Sequence, residues 1–193
     1  MERVLHIYVF RHGETTYNRD KKFTGFHNPP LTKKGIKQAK IIAMKLKAKK
    51  FQIAFQTKLR RSKQTLKKVL VYHPECKTIK EDNRIIERNY GKLNSTSHED
   101  YIKKQGIEGF NKIHRNFYAR PPKGESFSDV EKRVSRFIKD LVKLMKKKEV
   151  NVAISAHGNS IRLFRKIMEK ASIKEACSWT IPYDKVFEYI VKD

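Results

Sequence analysis

Two short apolar segments, at residues 3–10 and 150–155, each lead into a histidine followed by glycine. The first continues into Arg-His-Gly-Glu at positions 11–14, and the second into His-Gly at 157–158. Short apolar runs predict buried strands, and open α/β sheets collect ligands at the carboxyl ends of their strands. The sequence therefore predicts a sheet with two histidines at the edge where its strands end.

Helical periodicity alternates with these apolar segments along the chain. It predicts further strands over 51–55 and 185–191, and helices over 31–47, about 60–72, 126 onward and 159–170. Residues 76–123 are mixed, with short helical pieces around 98–105 and 109–117. Alternating strands and helices predict a three-layer α/β/α sandwich with a mainly parallel sheet, in a single domain spanning 1–193.

Length and composition narrow the class of protein. The 193 residues, 38% of them hydrophobic, fit one globular domain with a real core. No 18-residue apolar stretch occurs, and the N-terminus begins a strand rather than a signal peptide, so we expect a cytoplasmic protein without membrane contact. Cys76 and Cys177 lack CxxC spacing, which disfavours a disulfide framework or a zinc site.

The net charge of +25 requires an explanation, because it could indicate nucleic acid, a membrane surface or small anions. The lysines are scattered over the polar faces of predicted helices, and only 146–148 form a compact block. No basic segment is interleaved with aromatic residues in the way that stacks bases. We therefore expect solvated helix surfaces and no specific nucleic-acid partner.

A second strand end supplies a further cation to the predicted site. The segment after the strand at 51–55 carries Arg60 and Arg61, so it delivers an arginine to the start of a helix whose N-terminal amides also favour anions. Together with Arg11, His12 and His157 it forms a set suited to a phosphoryl group, with one imidazole free to attack and the others stabilising the oxygens. Such a site needs no metal ion.

This set of residues resembles the histidine phosphatase superfamily over essentially the whole chain, and in particular its cofactor-dependent phosphoglycerate mutase branch. Positions 11–14 resemble the signature in which the histidine, here His12, becomes phosphorylated. Positions 59–65 resemble the segment in which Arg61 contacts the phosphate, and His157 is the second histidine. The resemblance implies a phosphoglycerate mutase-like fold and a phosphohistidine intermediate.

Three segments favour the mutase branch over the phosphatases. Asn18 with Phe-Thr-Gly-Phe at 23–26 resembles the mutase substrate loop; 87–91 resembles the segment with the general acid/base and a substrate-contacting tyrosine; and 157–162 has asparagine after the glycine. The resemblance implies Glu87 as the acid/base. It also implies substrate contacts from Asn18, Thr24, Gly25, Tyr90, Gly158 and Asn159.

Two departures from the mutase pattern point the other way. Where mutases carry a lysine and two arginines for the rest of the substrate, this chain has His98 and the pair His114-Arg115. Because histidine is only partly charged near neutral pH, we expect such a clamp to bind a triply anionic substrate less firmly as pH rises past about 7. The chain also ends soon after its last strand, which predicts an open site that admits water.

Three functions are therefore carried forward. The first is a mutase of 3-phosphoglycerate and 2-phosphoglycerate, primed by 2,3-bisphosphoglycerate; the second is a metal-independent phosphatase of a small phosphorylated metabolite; the third is a non-catalytic basic binding protein. Glu87 has its own alternative, as a surface carboxylate paired with Arg84 or Arg88. The sequence leaves the oligomeric state open, with a homodimer as one alternative.

Overall fold

A computed structural model describes residues 4–192, so the predicted strand start at Arg3 lies outside the described residues. The described strands form one sheet in the order β3-β2-β4-β1-β5. Four strands are parallel, and β5 pairs antiparallel with β1. The strands are β1 (Val4–Arg11), β2 (Ile53–Gln56), β3 (Thr78–Glu81), β4 (Val152–Ala156) and β5 (Val186–Lys192). The mainly parallel sheet predicted from the sequence is confirmed.

Seven α-helices connect these strands within the described range. They are α1 (Thr16–Arg19), α2 (Lys33–Leu46), α3 (Arg60–Leu70), α4 (His98–Arg115), α5 (Phe127–Lys148), α6 (Gly158–Met168) and α7 (Ile173–Ser178). No helix within residues 4–192 combines the length and the apolar character needed to cross a lipid bilayer.

Successive residues of β1 point to opposite faces of the sheet, and this alternation creates the outer layers. Ile7 and Val9 join the core cluster that contains the apolar residues of α5 and α6. Tyr8 and Phe10 join the cluster formed with α2 and α3. Helices therefore cover both faces of the sheet, and the three-layer α/β/α sandwich is confirmed.

Helix α5 shows how the sequence sets one of these layers. Ser126 caps its first turn, accepting from the amide of Asp129, whose carboxylate accepts in return from the Ser126 amide. Its sequence predicts an apolar stripe of Phe127, Val130, Val134, Phe137, Ile138, Leu141, Leu144 and Met145. All of these side chains except Leu144 are buried, and each buried one contributes roughly 1.5–3 kcal/mol of transfer free energy. The helix ends at Glu149, which adopts a left-handed conformation with φ 53°.

The structure corrects several predicted boundaries. Helix α2 starts at Lys33 rather than Leu31, because Thr32 is its cap and accepts from the Gly35 amide. Strand β2 starts at Ile53 rather than at residue 51. Short α1, short α7 and the fully exposed edge strand β3 were not predicted. The two helical pieces predicted near 98–117 are confirmed as α4, which breaks at Gly106 with φ 71°.

The sheet order explains how distant parts of the chain meet. Strands β2, β4 and β1 are neighbours and run parallel, so their carboxyl ends share one edge. Arg11 is in register with Ala156, and the backbone N–H of His12 donates to the Ala156 carbonyl at 3.0 Å. The residues that follow these three strands therefore surround one point, as the sequence predicted.

Candidate active site

His12 lies at the end of β1 with only 1% of its surface exposed. Its Nδ1 lies 2.7 Å from the carbonyl oxygen of Gly13, which can only accept, so Nδ1 carries the proton. The lone pair of the neutral ring is then on Nε2. Gly13 is required here, because a Cβ on it would lie 2.1 Å from the carbonyl oxygen of Gly35.

The guanidinium of Arg61 contacts that lone pair. Arg61 lies in the first turn of α3 and donates from Nε to Nε2 of His12 at 3.2 Å. Its other nitrogens donate to the carbonyl oxygens of His27 at 2.7 Å and Gly25 at 2.9 Å. The substrate loop predicted around Gly25 is thus tied to the histidine through one arginine.

His157 is the N-cap of α6 and is fully buried beside His12, with ring centroids 5.0 Å apart. Its Nε2 lies 2.8 Å from Oγ1 of Thr57, the residue that follows β2. Its Nδ1 is buried and has no hydrogen-bond partner among residues 4–192. A buried nitrogen without a partner is costly, and a bound oxyanion would satisfy it.

Glu87 is buried, and its Oε1 accepts from the amides of Arg88 at 2.8 Å and Asn159 at 3.0 Å. Arg84 instead binds Asp82 and Asp140. The guanidinium of Arg88 donates to three carbonyl oxygens. The alternative of a surface carboxylate paired with either arginine is therefore wrong.

Arg133 fixes the backbone that carries Glu87. It donates to the carbonyl oxygens of Ile86 and Glu87 and forms a two-point ion pair with Glu125. Such a network holds a short irregular segment in one conformation. The carboxyl group of Glu87 is consequently presented to the cavity from a rigid support.

A cavity of about 230 Å³ opens beside these residues. Eleven of the predicted site residues line it: Arg11, Asn18, Thr24, Gly25, Glu87, Tyr90, His98, His114, Arg115, Gly158 and Asn159. The other three, His12, Arg61 and His157, are buried next to this lining. The structure thus brings together every residue that the sequence assigned to the site.

The site is cationic, and its electrostatics keep both histidines neutral. Burial, Arg61 and Arg11 lower the pKa of His12 well below its usual range. Burial and Arg61 lower the pKa of His157 in the same way. A neutral imidazole is the nucleophilic form, and the surrounding guanidinium groups favour a phosphoryl group.

The predicted partial charge of His98 and His114 is corrected by their surroundings. The ring of His114 lies 4.8 Å from Phe110 and 6.5 Å from Phe23, and burial with neighbouring cations lowers its pKa to about 3. Burial also lowers the pKa of His98. Both shifts favour the neutral ring at pH 7, so these surroundings disfavour a histidine clamp that loses its charge above pH 7.

Four basic or aromatic residues of the lining were missed: Lys21, Lys22, Arg162 and Tyr183. Arg162 follows Asn159 by three residues on α6, a spacing that places both on one helix face and was a usable signal. The ring of Tyr183 lies 3.9 Å from the guanidinium carbon of Arg11, but no sequence motif marked it. The cavity is more strongly cationic than the sequence indicated.

One cluster of possible metal ligands coincides with this site. Ligand atoms of His12, Glu87 and His157 lie within 4.8 Å of one another, and histidine with glutamate suits zinc. However, Arg61 already donates to His12 Nε2, and the positive potential that lowers both histidine pKa values also opposes a cation. The described residues fit an anion better than a metal ion.

Comparison with known proteins agrees with this geometry. A model of the histidine phosphatase superfamily (branch 1) matches residues 7–189. The chain belongs to the histidine phosphatase superfamily. A phosphoglycerate mutase of Schizosaccharomyces pombe is 38% identical over 160 residues, 81% of this chain and 75% of that protein. The 2,3-bisphosphoglycerate-dependent phosphoglycerate mutase 2 of Gloeobacter violaceus is 34% identical over 158 residues, 81% of this chain and 72% of its own.

Solved structures of the superfamily share the fold. A phosphoglycerate mutase from Bacillus anthracis has a TM-score of 0.82 at 21% identity, covering 98% of this chain and 89% of its own. An alpha-ribazole phosphatase from Shigella flexneri has a TM-score of 0.81 at 22% identity, covering 95% and 89%. The phosphoglycerate mutase-like fold is confirmed. Because a mutase and a phosphatase share it, the acceptor has to be argued from the site.

Proposed function

We propose that this protein transfers phosphoryl groups through a phosphohistidine at His12 and interconverts 3-phosphoglycerate and 2-phosphoglycerate. The observation that carries the transfer step is the state of His12: a neutral ring, protonated at Nδ1, whose Nε2 lone pair lies among guanidinium groups. A nucleophile and the donors for the transferred oxygens are thus already in place.

Residues of this chain supply the nucleophile and the proton that the first phosphoryl transfer, from substrate to His12, requires. The lone pair of His12 Nε2 forms the N–P bond as the O–P bond of the ester breaks, and Glu87 gives its proton to the leaving oxygen. The Arg61 Nε–H, released from Nε2, then faces the transferred group together with Arg11 and the free Nδ1 of His157. In the second step the acceptor hydroxyl returns a proton to Glu87 as the N–P bond breaks.

The lining also fits the primer that this function implies. When bound, 2,3-bisphosphoglycerate supplies the phosphoryl group that loads His12. Buried Nε atoms of Arg11 and Arg162 have no partner among the described residues and are free to donate to its anionic groups. Lys21, Lys22 and Arg115 add positive charge around the same cavity.

The curated mutases support the choice of acceptor. Three relatives at 34–38% identity over 81% of the chain are named phosphoglycerate mutases, and two of these names include 2,3-bisphosphoglycerate dependence. Asn159 also supports the glycerate hydroxyl as acceptor. Its backbone amide donates to Glu87 and its side chain donates to Tyr90, so it links the acid/base to a residue expected to contact the substrate. We take the hydroxyl of the bound glycerate as the acceptor.

A phosphatase is the second candidate, and one specific observation favours it. His98 and His114 are neutral where the mutase pattern carries cations. A substrate held less firmly leaves the phosphohistidine open to water, which would give hydrolysis.

The test separates the two chemistries directly. The protein is incubated with 3-phosphoglycerate, with and without 2,3-bisphosphoglycerate, and 2-phosphoglycerate and inorganic phosphate are followed together. Isomer formation that depends on the bisphosphate is expected. Release of phosphate without isomer would overturn the mutase and leave the phosphatase.

A His12→Ala variant tests the intermediate itself. Acid-labile labelling by a phosphorylated substrate and all transfer activity should disappear in this variant. Labelling that persists would exclude His12 as the acceptor, and an unlabelled, inactive wild-type protein would favour a binding function. His6→Ala, a change on β1 far from the strand end, is a suitable matched control because His6 pairs with Glu188 on β5.

A further inference from the structure

Two guanidinium groups meet on one carbonyl oxygen at the rim of the cavity. Nη2 of Arg162 donates to the Trp179 carbonyl at 2.8 Å, and Nη1 of Arg115 donates to the same oxygen at 3.0 Å. Like charges repel, so such a pair is unfavourable unless an anion neutralises it. The pair needs a partner that the protein itself has to supply or bind.

The described chain does not supply that partner. The guanidinium bonds of Arg162 go to Asn159 Oδ1 and to the Trp179 carbonyl, and those of Arg115 go to the carbonyls of Cys177 and Trp179. Within residues 4–192 no carboxylate forms an ion pair with either arginine. Burial lowers the pKa of Arg162 to about 10; Arg115 lowers it further, whereas Tyr90 and the nearby carboxylate of Glu87, which forms no hydrogen bond with Arg162, raise it.

Arg162 is also placed to reach a ligand. It is more than nine-tenths buried, lines the cavity, and keeps a buried Nε without a partner in the described range. The guanidinium donates to the side-chain oxygen of Asn159, and the backbone amide of the same asparagine donates to the carboxylate of Glu87. An anion bound by Arg162 would therefore lie next to the acid/base.

We infer that Arg162, with Arg115, binds the carboxylate of a phosphorylated hydroxy acid and is the residue that selects such substrates. This inference rests on the proposed function. It assigns to Arg162 the substrate-binding role for which mutases use cations at the positions of His98 and His114. Those two rings are neutral, whereas a guanidinium stays charged and can bind a carboxylate through two parallel hydrogen bonds. The hydroxyl next to that carboxylate would then face Glu87.

The test uses two ligands that differ in one group. 3-Phosphoglycerate and glycerol 3-phosphate share the phosphate and the middle hydroxyl, and only the former has a carboxylate. Dissociation constants are measured by calorimetry in a His12→Ala background, where no phosphoryl transfer interferes. Failure of the phosphohistidine proposal would therefore leave this measurement intact, and the two outcomes stay distinguishable.

The expected result is a preference of at least about tenfold for 3-phosphoglycerate, which Arg162→Gln reduces to nearly one. Arg136→Gln is the matched control, because Arg136 is exposed on α5 and, within residues 4–192, its side chain bonds only Lys132 of its own helix. It should keep the preference while removing the same charge from the protein.

Several results would overturn the inference. They are no preference in the reference protein, a preference that survives Arg162→Gln, an equal loss of affinity for both ligands, or a preference lost in His114→Gln but not in Arg162→Gln. If Arg162→Gln does not fold, Arg162→Lys is used. Lysine retains the positive charge but lacks the two parallel N–H donors of a guanidinium, so the preference should fall but remain above one. An unchanged preference would contradict a two-point carboxylate contact.

Discussion

The Nε–H of Arg61 donates to Nε2 of His12 at 3.2 Å, on the nitrogen that has to attack phosphorus. This bond must break as the N–P bond forms, since one lone pair cannot serve both. Arg61 thus protects the nucleophile in the resting protein and becomes a donor to the transferred group during reaction. Arg61 also donates to the carbonyl oxygens of His27 and Gly25, so a movement of its guanidinium away from His12 would be transmitted to the substrate loop.

Arg61→Lys should reduce the turnover number by about 10²–10³-fold, with a smaller effect on substrate affinity, because an ammonium cannot reproduce the three directed bonds. Steady-state kinetics and the yield of phosphohistidine after a single turnover measure the effect. Arg60→Lys, an exposed neighbour in the same turn of α3, is the control and should remain active. An Arg61→Lys enzyme with normal turnover would contradict the donor role.

Glu87→Gln should separate substrates by their leaving groups. An alkyl phosphate needs a proton on its leaving oxygen, so its transfer should slow by about 10²–10⁴-fold. p-Nitrophenolate leaves without protonation, so phosphorylation of His12 by p-nitrophenyl phosphate should change far less.

Rapid-quench measurement of phosphohistidine formation with both donors gives the comparison. Glu99→Gln, an exposed carboxylate of α4, provides a charge-matched control. Equal losses with both donors would mean that Glu87 acts on structure or on binding instead of on the leaving oxygen.

The strand ends and their histidines could be predicted because the signals are local. An apolar run predicts β1 or β4, and the glycine after each histidine marks the turn. Glu87 could be found only through a resemblance, since its segment after β3 has no regular periodicity. Strand β3 itself escaped prediction because all of its residues are exposed and no apolar alternation marks it.

Tertiary contacts explain why the sequence misjudged the charge of His114 and missed Arg162 in the cavity lining. His114 is neutral because the chain folds it against Phe110 and beside Arg115, which the spacing of residues does not reveal. Arg162 enters the cavity because α6 is rotated so that its face with Asn159 points to the site. Charge and orientation here depend on packing between elements distant in sequence.

The imidazole of His12 should remain neutral in mildly acidic solution. Burial, Arg61 and Arg11 lower its pKa, so its ¹⁵N shifts should keep the Nδ1–H pattern as the pH falls from about 8 through the ordinary histidine value of about 6.5. Removing one of these causes in Arg61→Gln should raise the pKa of His12. A midpoint near 6.5 in the wild-type protein would contradict the proposed state of the nucleophile.

His114 makes the stability of the fold depend on pH in a defined direction. Its pKa is about 3 in the folded protein and about 6.5 when unfolded, so the unfolded chain binds the extra proton between these values. The contribution of His114 to the free energy of unfolding should therefore be constant above about pH 7 and fall by on the order of 1 kcal/mol per pH unit below about 6.5. Buried His12 and His157 act in the same direction.

His114→Gln isolates the contribution of this one ring. Urea unfolding at pH values from about 8 to about 4.5 should give a shallower fall for the variant, because glutamine takes up no proton in either state. The curves should run parallel above about pH 7, where the histidine is neutral both folded and unfolded. If the curves also run parallel below about pH 6, folding does not lower the pKa of His114. His114 would then be a partly charged residue of the cavity lining, as the sequence predicted.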